Sequence, residues 1–240
     1  MNMESNFKIS DEDKKDIYIV IPAYNEEKRV GKVLEEVASL GYKIVVVNDG
    51  SKDDTLNVLL NTQKKYPNNI YVLSHIINRG AGAATRTGLD AALLHNPKYI
   101  VTFDADGQHA PGDIEKVCEP LVKGDADAVI GARPFEDMPR SKNFANTVMT
   151  YLTQFFYKLK VKDSQTGFRA FTVDAARKLK IEAQGYIISS EFIKEIHRNN
   201  LKFEEVTITT IYTPETQAKG TNAVVGIKIM LRMIKQKIFD

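Results

Sequence analysis

The sequence of 240 residues is poor in several features that mark specialised protein classes. It has one cysteine, Cys118, so no disulfide can form within the chain and a reducing compartment is favoured. Its 33 basic and 31 acidic residues leave a formal net charge of +2. A dedicated nucleic-acid-binding protein usually carries a clear basic excess, so we expect no nucleic-acid partner.

Long apolar runs are also absent. No stretch reaches the ~18 consecutive apolar residues that a membrane-spanning helix needs. The first 15 residues are polar and lack the apolar centre of a secretory signal, so they are predicted to form a mobile arm. We expect a cytoplasmic protein that is at most peripheral on the cytoplasmic face of a membrane.

Residues 223–240 predict a basic amphipathic helix. It has one apolar stripe, made of Val224, Ile227, Leu231, Ile234 and Ile238, beside the cations Lys228, Arg232, Lys235 and Lys237. Two interpretations stay open: the helix lies on anionic lipid, or it packs on the rest of the fold.

The remaining pattern alternates short β-branched runs with helical spacings. Strand-like runs occupy residues 17–21, 43–47, 70–73, 99–103 and 126–130, and helical patterns occupy 30–37, 53–66 and 81–95. This alternation predicts an α/β fold with a mostly parallel, Rossmann-like sheet covered by helices on both faces. Farther on, the pattern predicts a long helix over 144–159 and a late antiparallel strand within 203–212.

Acidic residues follow three of the predicted strands. Glu26 and Asp49 come after the first two, and Asp104-x-Asp106 follows the fourth. Ligands of open α/β sheets bind beyond the carboxyl ends of the strands, where these carboxylates would repel one another unless a cation lay among them. Asp104 and Asp106, with Gln108 nearby, suit Mg²⁺ or Mn²⁺. The alternative is a pair of turn residues that cap the next helix.

Six motifs occur in order: IPAYNEE, VVNDGSKDDT, NRGAGAATRTG, TFDADGQH, GAR and DSQTGFR. Together they resemble the family 2 glycosyltransferases with the A-type, nucleotide-sugar-binding fold, over residues 17–229. Within that family, the sequence is most similar to polyprenyl-phosphate sugar synthases of the dolichol-phosphate mannose and glucose type. The resemblance implies an inverting, metal-dependent transfer of a hexose from a nucleotide diphosphate sugar to a polyprenyl or dolichyl phosphate at a membrane surface.

The resemblance also implies a division of one domain, 16–222, into a nucleotide-sugar half (16–131) and an acceptor half (132–222). Residues expected to bind the nucleotide sugar are Pro22, Ala23, Tyr24, Glu26, Asp49, Asn78, Arg79, Gly80 and Asp104. The metal ligands would be Asp104, Asp106 and Gln108, with His109 bracing the loop. The third motif departs from the family because Arg79 and Ala81 flank Gly80, where a lysine is usual.

The acceptor half offers cations for a lipid phosphate. They are Arg133, Arg140, Lys142, Arg169 and Lys219, with Lys142 at a position where the family commonly has arginine. Gln165 is expected to contact the donor sugar or phosphate. The catalytic set implied by the resemblance is therefore Asp104, Asp106, Gln165 and Arg169.

The acceptor and the donor each leave alternatives open. A phosphate acceptor is already anionic at neutral pH and needs no general base, whereas a saccharide hydroxyl does. Glu191 is the candidate base for that alternative; otherwise it orients the acceptor loop or pairs with Lys194 or Arg198. The DSQTGFR motif resembles glucosyl-type members, which favours UDP-glucose or UDP-N-acetylglucosamine over GDP-mannose. A catalytically silent nucleotide-sugar binder is the third alternative.

Overall fold

The computed structural model describes residues 7–134, 140–182 and 188–212, and they contain one seven-stranded sheet. Its strands are β1 (Ile17–Ala23), β2 (Lys43–Asn48), β3 (Ile70–Ser74), β4 (Tyr99–Thr102), β5 (Ala128–Ala132), β6 (Arg169–Thr172) and β7 (Phe203–Thr207). The helices are α1 (Asp11–Lys14), α2 (Val30–Ser39), α3 (Thr55–Lys65), α4 (Ala81–Leu93), α5 (Asp113–Val122), α6 (Arg140–Tyr157), α7 (Val173–Lys178) and α8 (Ile188–Arg198).

The strand order is β3-β2-β1-β4-β6-β5-β7. The first four strands in this order are mutually parallel, β6 is antiparallel to β4 and to β5, and β7 is parallel to β5. The predicted α/β class with a mostly parallel sheet is confirmed. The prediction of an antiparallel last strand was wrong, because the direction of β7 is set by the connection through α7 and α8, which residue alternation does not reveal.

Both faces of the sheet are buried, as the strand pattern predicted. On β1, Ile17, Ile19 and Ile21 face a core cluster built with α2, α3 and α5. Tyr18 and Val20 face the other way, into a cluster built with α4, α7 and α8. Successive strand residues point to opposite faces, so this split explains why the runs are apolar throughout.

Helix α4 lies unusually close to the sheet. A Cβ at Gly88 would overlap the Val20 side chain of β1, so glycine permits this approach. The helix begins at Ala81, directly after the loop that follows β3. The close packing therefore fixes where the start of α4 meets the carboxyl edge of the sheet.

A mobile arm is expected over residues 1–15, but the described part of that segment, from residue 7, packs on the fold. Ile9 is only 5% exposed and belongs to a core cluster, and helix α1 follows it with Ser10 as its cap. One buried side chain in a polar segment creates no periodicity, so sequence patterning could not reveal it. Residues 223–240 lie outside the described residues, as does their predicted helix. No described helix has the length and hydropathy needed to cross a membrane.

Candidate active site

The loops after β1, β2 and β4 meet at one edge of the sheet. These three strands are parallel neighbours, so their carboxyl ends open on the same side. The negative charge of Glu26 is close enough to contribute to raising the pKa of Asp106, as a minor cause beside burial. The sequence prediction that acidic groups converge at this edge therefore matches the geometry for Glu26, Asp104 and Asp106.

The first two loops are joined by hydrogen bonds between backbone and side chains. The Asn25 amide donates to Ser51 Oγ at 3.0 Å, and the Lys52 amide donates back to Asn25 Oδ1 at 2.9 Å. The Glu26 amide donates to Thr55 Oγ1 at 2.8 Å. The two loops therefore form one rigid unit beside the acidic residues.

Four of the residues expected to bind the nucleotide sugar lie at or just after the end of β1. Pro22 and Ala23 are its last two residues, and the Tyr24 side chain that follows is 39% exposed. The Glu26 carboxylate pairs with Arg29 at 3.6 Å. Tyr24 is thus the member of this set that presents a large surface to solvent.

Asp104 lies in the loop after β4 and is held from two sides. Its Oδ2 is 2.8 Å from Nε2 of His109, whose ring is 3% exposed and packed against Phe103 and Phe168. A Cβ on Gly167 would overlap the Asp104 carboxylate, so only glycine leaves room for it there. The Asp104 side chain nevertheless remains 42% exposed, so the carboxylate is fixed in orientation but open to solvent.

Asp106 shares a short turn with Gln108. The backbone N–H of Gln108 donates to Asp106 Oδ1 at 3.0 Å, and the side-chain Nε2 of Gln108 donates to Asp106 Oδ2. A half-turn of the Gln108 side-chain amide would present its oxygen instead, because the two ends of an amide are similar in shape. Both residues are half-buried, on the same loop as Asp104.

The two carboxylates have opposite electrostatic settings. Burial raises the pKa of Asp104, but the hydrogen bond from His109 and the charges of His109, Arg169 and Arg133 outweigh it, so the pKa is lowered. Burial and the negative charge of Asp104 raise the pKa of Asp106. The ionised form of Asp106 is therefore disfavoured at this edge, and a nearby cation would stabilise that form.

These residues fit a divalent ion that is shared with a substrate. The described residues contain no group of three or more His, Cys, Asp or Glu side chains arranged to hold an ion by themselves. Mg²⁺ is usually bound by one or two carboxylates, with phosphate oxygens and water completing its shell. Asp104 and Asp106, with the Gln108 amide beside them, supply that partial set.

Arg133 differs from the free cation that we expected. It makes a bidentate ion pair with Asp163, with Nε 2.6 Å and Nη2 3.0 Å from the two carboxylate oxygens. Asp163 is fully buried; burial raises its pKa, but the adjacent Arg133 outweighs that effect and lowers it. The sequence does not reveal that Arg133 pairs with a carboxylate 30 residues away, so its charge was expected to be available to an acceptor phosphate.

Arg169 is also enclosed, with 2% of its surface exposed. Its Nη2 donates to the Ser164 carbonyl at 3.3 Å, its guanidinium lies 4.8 Å from the centre of the Phe192 ring, and its Nε has no hydrogen-bond partner among the described residues. Burial lowers its pKa to about 10. In this geometry the side chain holds the 163–169 loop, and its predicted contact with the acceptor phosphate stays a prediction.

Gln165 lies in the same loop. Its backbone amide donates to Asp163 Oδ1 at 3.0 Å, and its Nε2 donates to Ser164 Oγ at 2.9 Å.

Three assigned cations fall outside the side chains that the structure describes. Arg140 and Lys142 belong to α6 by their backbone alone, and Lys219 lies beyond residue 212.

Glu191 and Asp49 have roles in holding loops. Both oxygens of Glu191, which is 7% exposed, accept the Glu182 amide at 3.1 Å. Asp49 is 2% exposed, and its oxygens accept the amides of Arg79 and Gly80. Asp49 thus orders the loop that carries Asn78, Arg79 and Gly80, and its contact with the nucleoside stays a prediction.

Sequence reasoning missed two residues of this region. Asp163 opens the DSQTGFR motif, but its acidity was not matched to Arg133 because the pairing crosses from β5 to the loop before β6. His75 lies outside every motif that the sequence analysis used, although it contacts Asp49 at 2.7 Å. For His75, its position at the carboxyl end of β3, next to the other loops, was the available signal.

The sequence matches the model of Glycosyl transferase family 2 over residues 18–180. The chain belongs to this family. An uncharacterized protein of Methanocaldococcus jannaschii is 42% identical and covers 98% of each chain. A UDP-N-acetylglucosamine–dolichyl-phosphate N-acetylglucosaminyltransferase of Methanococcus voltae is 38% identical, over 92% of this chain and 96% of the relative.

A solved structure shares the fold. The glucosyl-3-phosphoglycerate synthase of Mycobacterium tuberculosis superposes with a TM-score of 0.71 at 17% identity, covering 95% of this chain and 80% of that one. The resemblance seen in the motifs is confirmed at the level of family, fold and enzyme class. The chain is a glycosyltransferase with the A-type fold.

Proposed function

We propose that this glycosyltransferase moves a hexose from a nucleotide diphosphate sugar to a polyprenyl or dolichyl phosphate, with inversion at the anomeric carbon. UDP-glucose or UDP-N-acetylglucosamine is the proposed donor, in keeping with the DSQTGFR motif and with the Methanococcus voltae relative, whose name specifies the latter sugar and a dolichyl-phosphate acceptor. The proposed place of action is the cytoplasmic face of a membrane.

One observation carries the proposal: Gly167, in the loop that Arg133 and Arg169 hold, packs directly against the Asp104 carboxylate, and the charges of both arginines help to lower the pKa of Asp104. A carboxylate set suited to a metal ion therefore adjoins a set of guanidinium groups at the same edge. Two anionic substrates need such an arrangement, because the diphosphate of the donor requires a cation and the phosphate of the acceptor requires positive charge nearby.

Different residues would bind the metal ion, orient Asp104 and support the acceptor loop. Asp104, Asp106 and Gln108 would hold Mg²⁺ or Mn²⁺, which when bound stabilises the negative charge that develops on the leaving diphosphate. His109 and Gly167 keep the Asp104 carboxylate in one orientation. Arg133, paired with Asp163, would support the 163–169 loop, and Arg169 would add positive charge for an anionic acceptor. That acceptor is ionised at pH 7, since its second pKa is about 6.

The alternative of a saccharide hydroxyl acceptor finds less support. It requires a general base, and the carboxylate of Glu191 accepts the Glu182 amide through both of its oxygens. That contact gives Glu191 a structural role at the start of the segment before α8.

A radiolabelled donor panel tests the proposal. The panel contains UDP-glucose, UDP-N-acetylglucosamine and GDP-mannose, each with Mn²⁺ and a short polyprenyl phosphate, and the product is counted in the lipid extract. We expect label in the lipid phase with a UDP-sugar and none when the acceptor is the matching polyprenol. Label that appears only with GDP-mannose would overturn the donor assignment. Label on polyprenol, or on a saccharide in place of lipid, would overturn the acceptor.

A further inference from the structure

The segment 75–80, which we call the His75 loop, joins β3 to α4 at the donor side of the edge. Ile76 is 99% exposed and Ile77 is 69% exposed. Because neither side chain is buried, hydrophobic packing contributes almost nothing to holding this loop in place. Asn78 and Arg79, both assigned to the nucleotide, are exposed as well. The conformation of the loop therefore depends on polar contacts and backbone packing.

Asp49 accepts two backbone amides of this loop. Its Oδ1 accepts the Arg79 amide at 2.9 Å, and its Oδ2 accepts the Gly80 amide at 2.7 Å. The neighbouring Gly50 has a φ of +64° and packs on the loop backbone, where an added Cβ would lie 2.6 Å from the Asn78 nitrogen. The end of β2 thus supports the loop through one side chain and one bare backbone position.

His75 fixes the orientation of Asp49. Its Nδ1 is 2.7 Å from Asp49 Oδ1, and its Nε2 is 3.0 Å from Thr87 Oγ1 on α4. The Asp49 carboxylate already accepts two amide protons, so Nδ1 must carry the proton of the third bond. The bonds form a continuous path from Thr87 through the imidazole to Asp49 and on to the amides of the His75 loop.

We propose that His75 is a positioning residue for the nucleotide diphosphate donor. Together with Thr87, it holds Asp49 so that the loop bearing Asn78, Arg79 and Gly80 is already ordered before the donor arrives. A preordered loop strengthens binding because the binding energy of the donor does not have to offset the loss of entropy on ordering the loop. The inference rests on the proposed function only in taking the donor to be a nucleoside diphosphate sugar.

The test compares His75→Ala and Thr87→Val with His197→Ala, which removes an exposed histidine at the end of α8. Hydrogen exchange at the Arg79 and Gly80 amides is measured first, without ligand. Binding of UDP and of GDP with Mn²⁺ is then measured by calorimetry, and KM and kcat by sugar transfer. We expect faster exchange at both amides and about tenfold weaker nucleotide binding in His75→Ala, since a hydrogen bond to a charged group is lost. Donor KM should rise with kcat nearly unchanged.

Two further variants separate positioning from general support of the fold. His75→Asn can still donate to Asp49, so it should recover part of the affinity, whereas Thr87→Val should lose only a few-fold. A lower melting temperature in His75→Ala with unchanged exchange and unchanged nucleotide affinity would overturn the proposal. If His75→Ala does not fold, unchanged amide exchange and unchanged nucleotide affinity in Thr87→Val overturn it equally.

The outcomes also distinguish this proposal from the proposed function. If the unchanged protein binds nucleotide and the variants weaken that binding, yet no lipid is labelled, the acceptor assignment fails and the role of His75 stands. If transfer occurs at an equal donor KM in all variants, the role of His75 fails and the proposed function stands. If the unchanged protein binds neither nucleotide, both are overturned.

Discussion

The two sides of the site carry opposite charge and differ in how far the charged side chains are buried. On the carboxylate edge, formed by Asp104 and Asp106, the Asp104 side chain is 42% exposed. On the guanidinium edge, formed by Arg133, Asp163 and Arg169, Asp163 is fully buried and Arg169 is 2% exposed. The first edge keeps charge available for a ligand, whereas the second uses most of its charge to hold itself together. A motif thus locates a charged residue, and burial decides what that residue can touch.

The largest expected effect is on the carboxylate edge. Asp106→Asn removes one charge and one ligand oxygen from the proposed ion site, so turnover at saturating donor and Mn²⁺ should fall by about 10³-fold. Thermal unfolding should show an intact fold. Asp90→Asn, at an exposed position on α4, is the matched control and should keep full turnover. Equal turnover in both variants would contradict the metal assignment.

On the guanidinium edge the main loss should be in stability. Arg133→Ala leaves the buried Asp163 carboxylate without its ion-pair partner, which should lower the free energy of unfolding by about 3–5 kcal/mol. The matched control is Arg86→Ala, which breaks an exposed pair on α4 and should cost about 0–1 kcal/mol. Urea unfolding followed by circular dichroism measures both. Equal losses would mean that the Arg133–Asp163 pair is not buried as described.

Gly167 tests whether the two edges depend on each other. Gly167→Ala places a methyl group against the Asp104 carboxylate, which must move. A displacement of about 1 Å in an active site can cost about 10²-fold in rate, so we expect a loss of that size in kcat. Gly112→Ala is the control, because a Cβ there meets nothing within 4 Å. A fully active Gly167→Ala would show that the position of Asp104 is not critical.

The smallest expected effect is a difference in pH dependence. The pKa of Asp163 is lowered in the folded protein, so its contribution to stability is present above the unfolded value of about 3.9 and is lost as the pH falls further. The pKa of Asp106 is raised, so its contribution is present below that value and is lost as the pH rises through the folded pKa.

Melting temperatures of the metal-free protein between pH 3 and pH 7 check both signs. At pH 7, Asp106→Asn should melt at a higher temperature than the unchanged protein, and Asp163→Asn at a lower one. The curve of Asp163→Asn should also lack part of the decline below about pH 4. Shifts in the same direction for the two variants would contradict the contrast between the edges.

How far the sequence predicts this molecule differs between the two edges. The apolar strands and the polar residues directly after them were readable, because both depend on short-range patterns such as Asp104-x-Asp106 after 99–103. The parallel direction of β7, the strand β6 and the Arg133–Asp163 pair were not readable, because each depends on which distant segments meet in space. His75 illustrates the same limit, since its two partners lie 26 and 12 residues away.

Binding of Mn²⁺, followed by electron paramagnetic resonance in the presence of UDP, tests the central claim most directly. The account predicts that the unchanged protein takes up the ion together with the nucleotide, and that Asp106→Asn binds it far more weakly while Asp90→Asn binds it normally. Equal uptake of Mn²⁺ and UDP by the unchanged protein and by Asp106→Asn would contradict a metal site at this edge.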